Sequence, residues 1–128
     1  MPKFCSTDIL LQACSYIKTN VKRMVLMTTT PANLAACTAA TCLAGATMST
    51  AEFTIADGDV SGKKVTVSQM ATLAVRTTGI PSHVVLFATA VGTTGIHYYT
   101  TCSTAQALTS TANTVTVPAW DIEFRDAT

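Results

Sequence analysis

The chain has 128 residues, the usual size of one domain, and only 12% of them are charged, about half the usual share. Its formal net charge at pH 7 is +1, and its lysines and arginines form no stripe of the kind that nucleic-acid binding needs. No apolar run reaches the roughly 18 residues of a membrane-spanning helix, so neither a nucleic acid nor a membrane is an expected partner.

The low charge has a structural implication. Threonine accounts for 25 residues and alanine for 19. Threonine suits strands because its branched side chain fits a pleated surface, so a threonine-covered sheet stays soluble with few charges. Because a poorly charged surface is best hidden inside an assembly, the composition favours an assembly subunit over a monomer.

Residues 6–20 are predicted to form a helix. Ser6 or Thr7 can cap it, and Asp8 favours its first turn. One apolar face recurs at helical spacing and contains Ile9, Leu10, Ala13, Cys14 and Ile17. The segment before Cys14 resembles a lipoprotein cleavage box, but its apolar stretch is too short for an export signal, so we expect synthesis in a cytoplasm without lipidation.

The next segments are a strand and an ambiguous region. Val21–Thr29 is apolar on both sides, which predicts a central or buried strand ending at Pro31. Residues 32–46 are rich in alanine and lack large apolar side chains. They are predicted to form a short helix, ended by Gly45, or an irregular excursion.

From residue 51 onward the pattern is typical of β structure. Predicted strands are Glu52–Ile55, Lys63–Val67, Leu73–Thr77, Ser82–Ala90, Ile96–Cys102 and Thr114–Arg125. In the last strand the apolar phase reverses at Pro118 and Ala119, which predicts a β-bulge or a change of sheet. The fold class is therefore mainly β: a single antiparallel β-sandwich over residues 1–128, immunoglobulin-like or similar, with an arm and α-helix at residues 1–20.

The five cysteines lack the spacing of zinc or thioredoxin-like sites. Buried thiols are the simplest interpretation, especially for Cys14. An odd number leaves at least one cysteine unpaired within the chain. Disulfides within or between chains are therefore the alternative, and the candidate residues are Cys5, Cys37 and Cys42.

Two features of the sequence bear on metal binding and catalysis. Asp57–Gly62 resembles the start of an EF-hand loop, but Ser68 stands where calcium needs a bidentate glutamate, so a turn is the better interpretation. His83 and His97 lie in predicted strands. His97 can approach Cys102 or Asp121, yet a half-buried position beside a neighbouring strand is simpler. We predict no enzyme activity, no catalytic residue, no cofactor and no metal ligand.

Several segments resemble one known family. They are Tyr16–Asn20 (YIKTN), Asp57–Lys63 (DGDVSGK), Tyr98–Cys102 (YYTTC), Gln106–Thr109 (QALT) and Asn113–Glu123 (NTVTVPAWDIE). Together they resemble a family of small tailed-bacteriophage proteins encoded among virion genes. The resemblance is strongest from Asp57 to Glu123. The stretch from Ala35 to Ala46 departs from the pattern.

The resemblance implies a virion structural protein. It points to a decoration (cement) protein on the capsid exterior, made in the host cytoplasm, that binds across major capsid protein subunits and copies of itself, for example as a homotrimer. A neck, collar or tail component is the alternative. Because Met1–Thr7 and Ala35–Ala46 bury themselves poorly, we expect them to form the contact surfaces. The predicted partner-binding residues are Phe4, Ile9 and Leu34.

Overall fold

The computed structural model describes residues 4–32, 37, 42–88, 95–103, 106–109 and 113–127. Its regular elements are α1 (Thr7–Asn20), β1 (Arg23–Met27), β2 (Cys42–Thr47), a short 3-10 helix (Thr50–Glu52), β3 (Phe53–Asp57), β4 (Lys63–Val67), β5 (Met70–Val75), β6 (His83–Phe87), β7 (Ile96–Thr101), β8 (Thr114–Val117) and β9 (Trp120–Phe124). The strands form two antiparallel sheets, which confirms the predicted mainly β class with an N-terminal helix and is consistent with a β-sandwich.

The chain divides into two compact units, each assembled from separate segments. The first, here called the helical unit, comprises Met1–Asn20, Ser49–Gln69 and Pro118–Thr128. The second, here called the six-stranded unit, comprises Val21–Met48 and Met70–Val117. Each sheet belongs to one unit.

The helical unit packs α1 against a three-stranded sheet of order β3-β4-β9. The Ser6 side chain accepts a hydrogen bond from the Ile9 N–H at 3.3 Å, as expected for the predicted cap. The buried side chains of this unit are Leu10, Cys14, Ile17, Phe53, Val65, Val67 and Ile122. The alternation in β4 buries Val65 and Val67, as predicted.

The six-stranded unit is one sheet of order β7-β6-β1-β2-β5-β8. β1 lies in its interior, paired with β6 on one side and β2 on the other. Its residues Met24–Met27 are all buried, so side chains on both faces of the strand are covered. The central position predicted from the two-sided apolar pattern of this segment is confirmed.

The prediction for residues 32–46 is wrong for residues 42–46. Cys42–Thr47 form β2, a largely buried strand between β1 and β5. Gly45 does not end a helix but pairs with Val25 in the middle of the ladder. A Cβ on Gly45 would lie 2.9 Å from Val25 Cγ1, so the close neighbour strand favours glycine here. Most of residues 32–41 lie outside the described residues.

The phase reversal near the C-terminus is a change of sheet. β8 pairs with β5 in the six-stranded sheet, whereas β9 pairs with β4 in the three-stranded sheet. Pro118 and Ala119 separate the two strands. Because proline lacks a backbone donor, it suits the point where the chain leaves one ladder and enters another. The predicted change of sheet is therefore confirmed.

Candidate interaction surface

Helix α1 presents apolar side chains on two sides. Leu10, Cys14 and Ile17 are buried in the helical unit. Ile9 is 63% exposed and Tyr16 is 57% exposed. At 3.6 residues per turn, positions 9 and 16 lie almost above one another and point away from the buried positions. Ile9 therefore lies outside the buried part of the apolar face that helical spacing predicted. We call Ile9 and Tyr16 the outer face of α1.

The predicted partner-binding residues differ in what the structure describes. Phe4 lies three residues before the first residue of α1 and is 88% exposed. Ile9 lies on the outer face of α1. Leu34 lies outside the described residues. Phe4 and Ile9 are thus large apolar side chains that a partner can reach. On a soluble monomer, exposed apolar side chains are usually scattered singly.

Charge is unevenly divided between the two units. All seven carboxylate side chains of the chain lie in the helical unit, together with five of its eight lysines and arginines. The six-stranded unit contains Lys22, Arg23 and Arg76 and no aspartate or glutamate. The formal charges are therefore −2 on the helical unit and +3 on the six-stranded unit. This difference in charge is not apparent along the sequence, because each unit is assembled from separate segments of the chain.

The acidic turn that resembled a calcium loop is a hairpin closed by ion pairs. Asp57 pairs with Lys63, and Asp59 accepts a hydrogen bond from Lys64 Nζ at 2.7 Å. The hydrogen bond and charge of Lys63 hold the pKa of Asp57 below its usual value. Gly62 adopts a φ of 75°, which favours glycine in the turn. Among the described residues no group of three or more metal-ligating side chains comes together.

The polar face of β9 continues this charge network. Lys64 Nζ lies 3.0 Å from Asp121, and Arg125 Nε lies 2.9 Å from Glu123. A hydrogen bond from Thr66, followed by Lys64, lowers the pKa of Asp121. The Val60 N–H donates to Glu123 at 2.9 Å. These carboxylates are therefore already matched with donors of their own unit.

All five cysteines are described, and none is joined in a disulfide. Burial raises the pKa of the Cys37 and Cys42 thiols, which disfavours the reactive thiolate. Both belong to a core cluster with Val25, Met27, Val85 and Phe87. In this conformation they are covered from any neighbouring chain. Cys5 and Cys102 are only partly buried, and the sequence had not singled out Cys102 as a candidate for bridging.

A histidine contact that sequence reasoning missed lies at one end of β6. Ser82 Oγ is 2.7 Å from His83 Nδ1, and Thr30 Oγ1 is 3.3 Å from His83 Nε2. The Tyr99 ring lies 6.1 Å away, centroid to centroid. Both ring nitrogens thus face hydroxyls, and the six-stranded unit supplies no carboxylate to orient the imidazole as a base. The adjacent Ser-His pair was the only sequence signal for this contact.

His97 lies in β7 and is half-buried, in agreement with the simpler of its two interpretations. Burial lowers the pKa of its imidazole.

No helix among the described residues has the length and apolar character needed to cross a membrane. Comparison with known protein families, curated proteins and solved structures finds no match to the chain.

Proposed function

We propose that the chain is a non-enzymatic structural protein of a phage particle, and specifically a capsid decoration (cement) protein. In this role it stabilises the head by binding across subunits of the major capsid protein. The observation that carries the proposal is the exposure of Phe4 and of the outer face of α1. Helix α1 already covers its own sheet with other side chains, so these exposed groups add nothing to the core of the unit.

The energetics suit a protein that binds many equivalent sites. Fully burying one large apolar side chain contributes about 1.5–3 kcal/mol. Phe4, Ile9 and Tyr16 together provide a modest contact, part of which offsets the entropy lost on association. A modest contact repeated over a symmetric shell still adds substantially to the stability of the whole particle, because links between copies make each later contact intramolecular.

The low charge of the six-stranded unit supports the same proposal. Of the 25 threonines, 19 lie in this unit, beside only three lysines and arginines. Such a surface carries little of the charge that usually keeps monomers apart, and it is compatible with close packing against neighbouring subunits. The resemblance of the turn and strand segments to phage virion proteins points to the particle as the place where this packing occurs.

Copy number in purified particles is the decisive measurement. Quantitative mass spectrometry against the major shell protein should give nearly equal numbers of the two chains if the protein decorates the capsid. A small fraction of the shell copy number would indicate the neck, collar or tail alternative. Absence of the chain from washed particles would refute both virion roles.

A binding assay tests the proposed surface. Particles lacking the protein are mixed with purified variants, and the bound fraction is measured after sedimentation. Phe4→Ser and Ile9→Ser should reduce loading. Val60→Ser is the matched control, because Val60 is a 71% exposed apolar residue on the hairpin of the same unit. Equal loading of all three variants would show that the contact lies elsewhere.

A further inference from the structure

Two of the five cysteines, Cys37 and Cys42, lie in one core cluster of the six-stranded unit, and both are almost completely buried. In the ladder between β1 and β2, Cys42 is the partner of Met27. Directly opposed residues of neighbouring strands point to the same face of a sheet, so Cys42 and Met27 share a face. Val25 and Val85, which are partners across β1 and β6, lie on that face too. Cys37 precedes β2 and belongs to the same cluster, which brings a second thiol to this face.

The electrostatics of the two thiols agree with their shared position. Burial raises the pKa of the Cys37 thiol, and the charge of Cys42 raises it further. Because the effect of one charge on another falls with distance, this coupling fits two thiols that lie in the same cluster. The Cys42 thiol also donates a weak hydrogen bond to the Ala44 carbonyl at 3.6 Å.

The other three cysteines lie elsewhere. Cys5 and Cys14 belong to the helical unit. Cys102 belongs to the six-stranded unit, but it is only partly buried and lies outside the cluster. The sequence named Cys5, Cys37 and Cys42 as candidates for bridging and left the pairing open, whereas the structure places two of these three together.

We propose that Cys37 and Cys42 form an intrachain disulfide under oxidising conditions, and that this bond fastens residue 37 to β2. Residues 35–41 contain only alanine and threonine besides Cys37. Alanine and threonine have little apolar surface to bury, so Cys37 is the strongest apolar anchor in this stretch of sequence. A covalent bond to an interior strand strengthens that anchor and restricts the unfolded chain. The disulfide is a property of the single chain and does not depend on the proposed role in a particle.

The oxidant is a small-molecule disulfide, and the reaction is thiol–disulfide exchange. One cysteine, as its thiolate, attacks a sulfur of the small molecule. The small molecule's S–S bond breaks, a mixed disulfide forms and one small thiolate leaves. The second cysteine thiolate then attacks the protein sulfur of the mixed disulfide, which forms the Cys37–Cys42 bond and releases the second small thiolate. The protons of the two cysteines end on the two released thiolates, so the chain is oxidised by two electrons and the small disulfide is reduced by two.

Burial determines when this exchange occurs. Both thiols are covered in the folded chain, and burial raises the pKa of each, so the thiolate is scarce in the native state. We therefore expect the bond to form while the chain folds or opens locally, and the folded, reduced chain to be oxidised slowly. Once formed, the disulfide is shielded from reductants by the same burial.

Refolding of the full chain in glutathione buffers tests the pairing. The reduced, unfolded chain is diluted into oxidised and reduced glutathione, the remaining thiols are alkylated under denaturing conditions, and the chain is digested with trypsin. Residues 24–63 form one tryptic peptide that contains Cys37 and Cys42 and no other cysteine. We expect this peptide without alkyl groups and lighter by two hydrogen atoms than its reduced form. Refolding with reduced glutathione alone should give the doubly alkylated peptide.

Thermal unfolding gives a second measurement. Oxidation should raise the melting temperature by roughly 5–10 °C, the shift expected when so short a loop is closed. Cys37→Ala should abolish this rise. Each variant is compared with its own reduced form, so the loss of a buried thiol does not affect the comparison. Cys102→Ala is the matched control, because Cys102 lies in the same unit but outside the cluster, and it should keep the full rise.

Several results would overturn the pairing. One is alkylation of both Cys37 and Cys42 after oxidative refolding. Another is a bond from either cysteine to a different tryptic peptide, or a crosslinked pair of 24–63 peptides, which would show bridging between chains. A rise in melting temperature that persists in Cys37→Ala would show that the stabilisation comes from other residues.

Discussion

Two isoleucines of α1 allow the inner and outer faces of the helix to be tested with the same substitution. Ile17 is 5% exposed, whereas Ile9 is 63% exposed. Ile17→Ala removes buried methyl groups and leaves a cavity, which should lower the free energy of unfolding by about 2–5 kcal/mol. Ile9→Ala removes little buried surface, and alanine is the better helix former, so the change should stay within about 0.5 kcal/mol.

For the affinity for particles, we expect the larger effect from Ile9→Ala and the smaller effect from Ile17→Ala. If the capsid buries Ile9, the alanine variant loses up to about 1.5–3 kcal/mol of apolar burial at each site, which corresponds to roughly a tenfold to hundredfold weaker intrinsic affinity. Ile17→Ala, measured where it is still folded, should bind with nearly unchanged affinity. Urea denaturation followed by circular dichroism gives the stabilities, and titration of unloaded particles gives the affinities.

Two results would refute this reasoning. A loss of stability in Ile9→Ala equal to that in Ile17→Ala would mean that the outer face is packed within the folded chain. Normal particle affinity of a stable Ile9→Ala variant would remove the outer face from the proposed contact. Val60→Ala serves as the control for nonspecific effects of removing an exposed apolar side chain, since Val60 lies on the hairpin and not on α1.

Three further predictions concern the turn, the short helix and the cysteines. Gly62→Ala should lower the free energy of unfolding by at least about 1 kcal/mol, because its φ is 75° and a Cβ would overlap the backbone of β9. Val60→Ala on the same turn is the comparison in the same urea assay, and an unchanged midpoint for Gly62→Ala would contradict the turn geometry. Hydrogen bonds from Ser49 lower the pKa of Glu52 in the folded state, so the contribution of Glu52 to stability is present above its unfolded pKa and is lost as pH falls through its folded pKa. Glu52→Gln should therefore reduce the loss of thermal stability at acidic pH. An unchanged dependence of the melting temperature on acidic pH would argue against the capping box. In native protein a thiol reagent should modify the partly buried Cys5 and Cys102 before the buried Cys14, Cys37 and Cys42, as followed by intact-mass spectrometry. Equal modification rates for the two groups would contradict the burial of the second group.

The elements with strong local signals were predictable from sequence. Helix α1 has a cap, an acidic first turn and apolar residues at helical spacing, and the structure places it within one residue of the prediction. β1 was recognised as an interior strand because its apolar residues fall on both faces. The phase reversal near Pro118 identified a real discontinuity, since period-2 alternation cannot continue unchanged when a chain leaves one sheet for another.

β2 was missed because its stability comes from distant segments. Its residues are mainly small, and alanine and glycine are weak strand formers on their own. They form a strand because β1 and β5 lie on either side and supply the hydrogen bonds, and because close neighbours leave little space for larger side chains at Gly45. Helical spacing also grouped Ile9 with the buried residues of α1, although Ile9 was separately predicted as a partner-binding residue. Helical spacing shows which residues share a face, but the width of the buried stripe depends on the sheet that covers it.

The candidate interaction features required topology as well as spacing. The fold gathers every carboxylate side chain into the helical unit and leaves Lys22, Arg23 and Arg76 in the six-stranded unit. Each unit is built from segments that are separated in the chain, so a count along the sequence cannot show this division of charge.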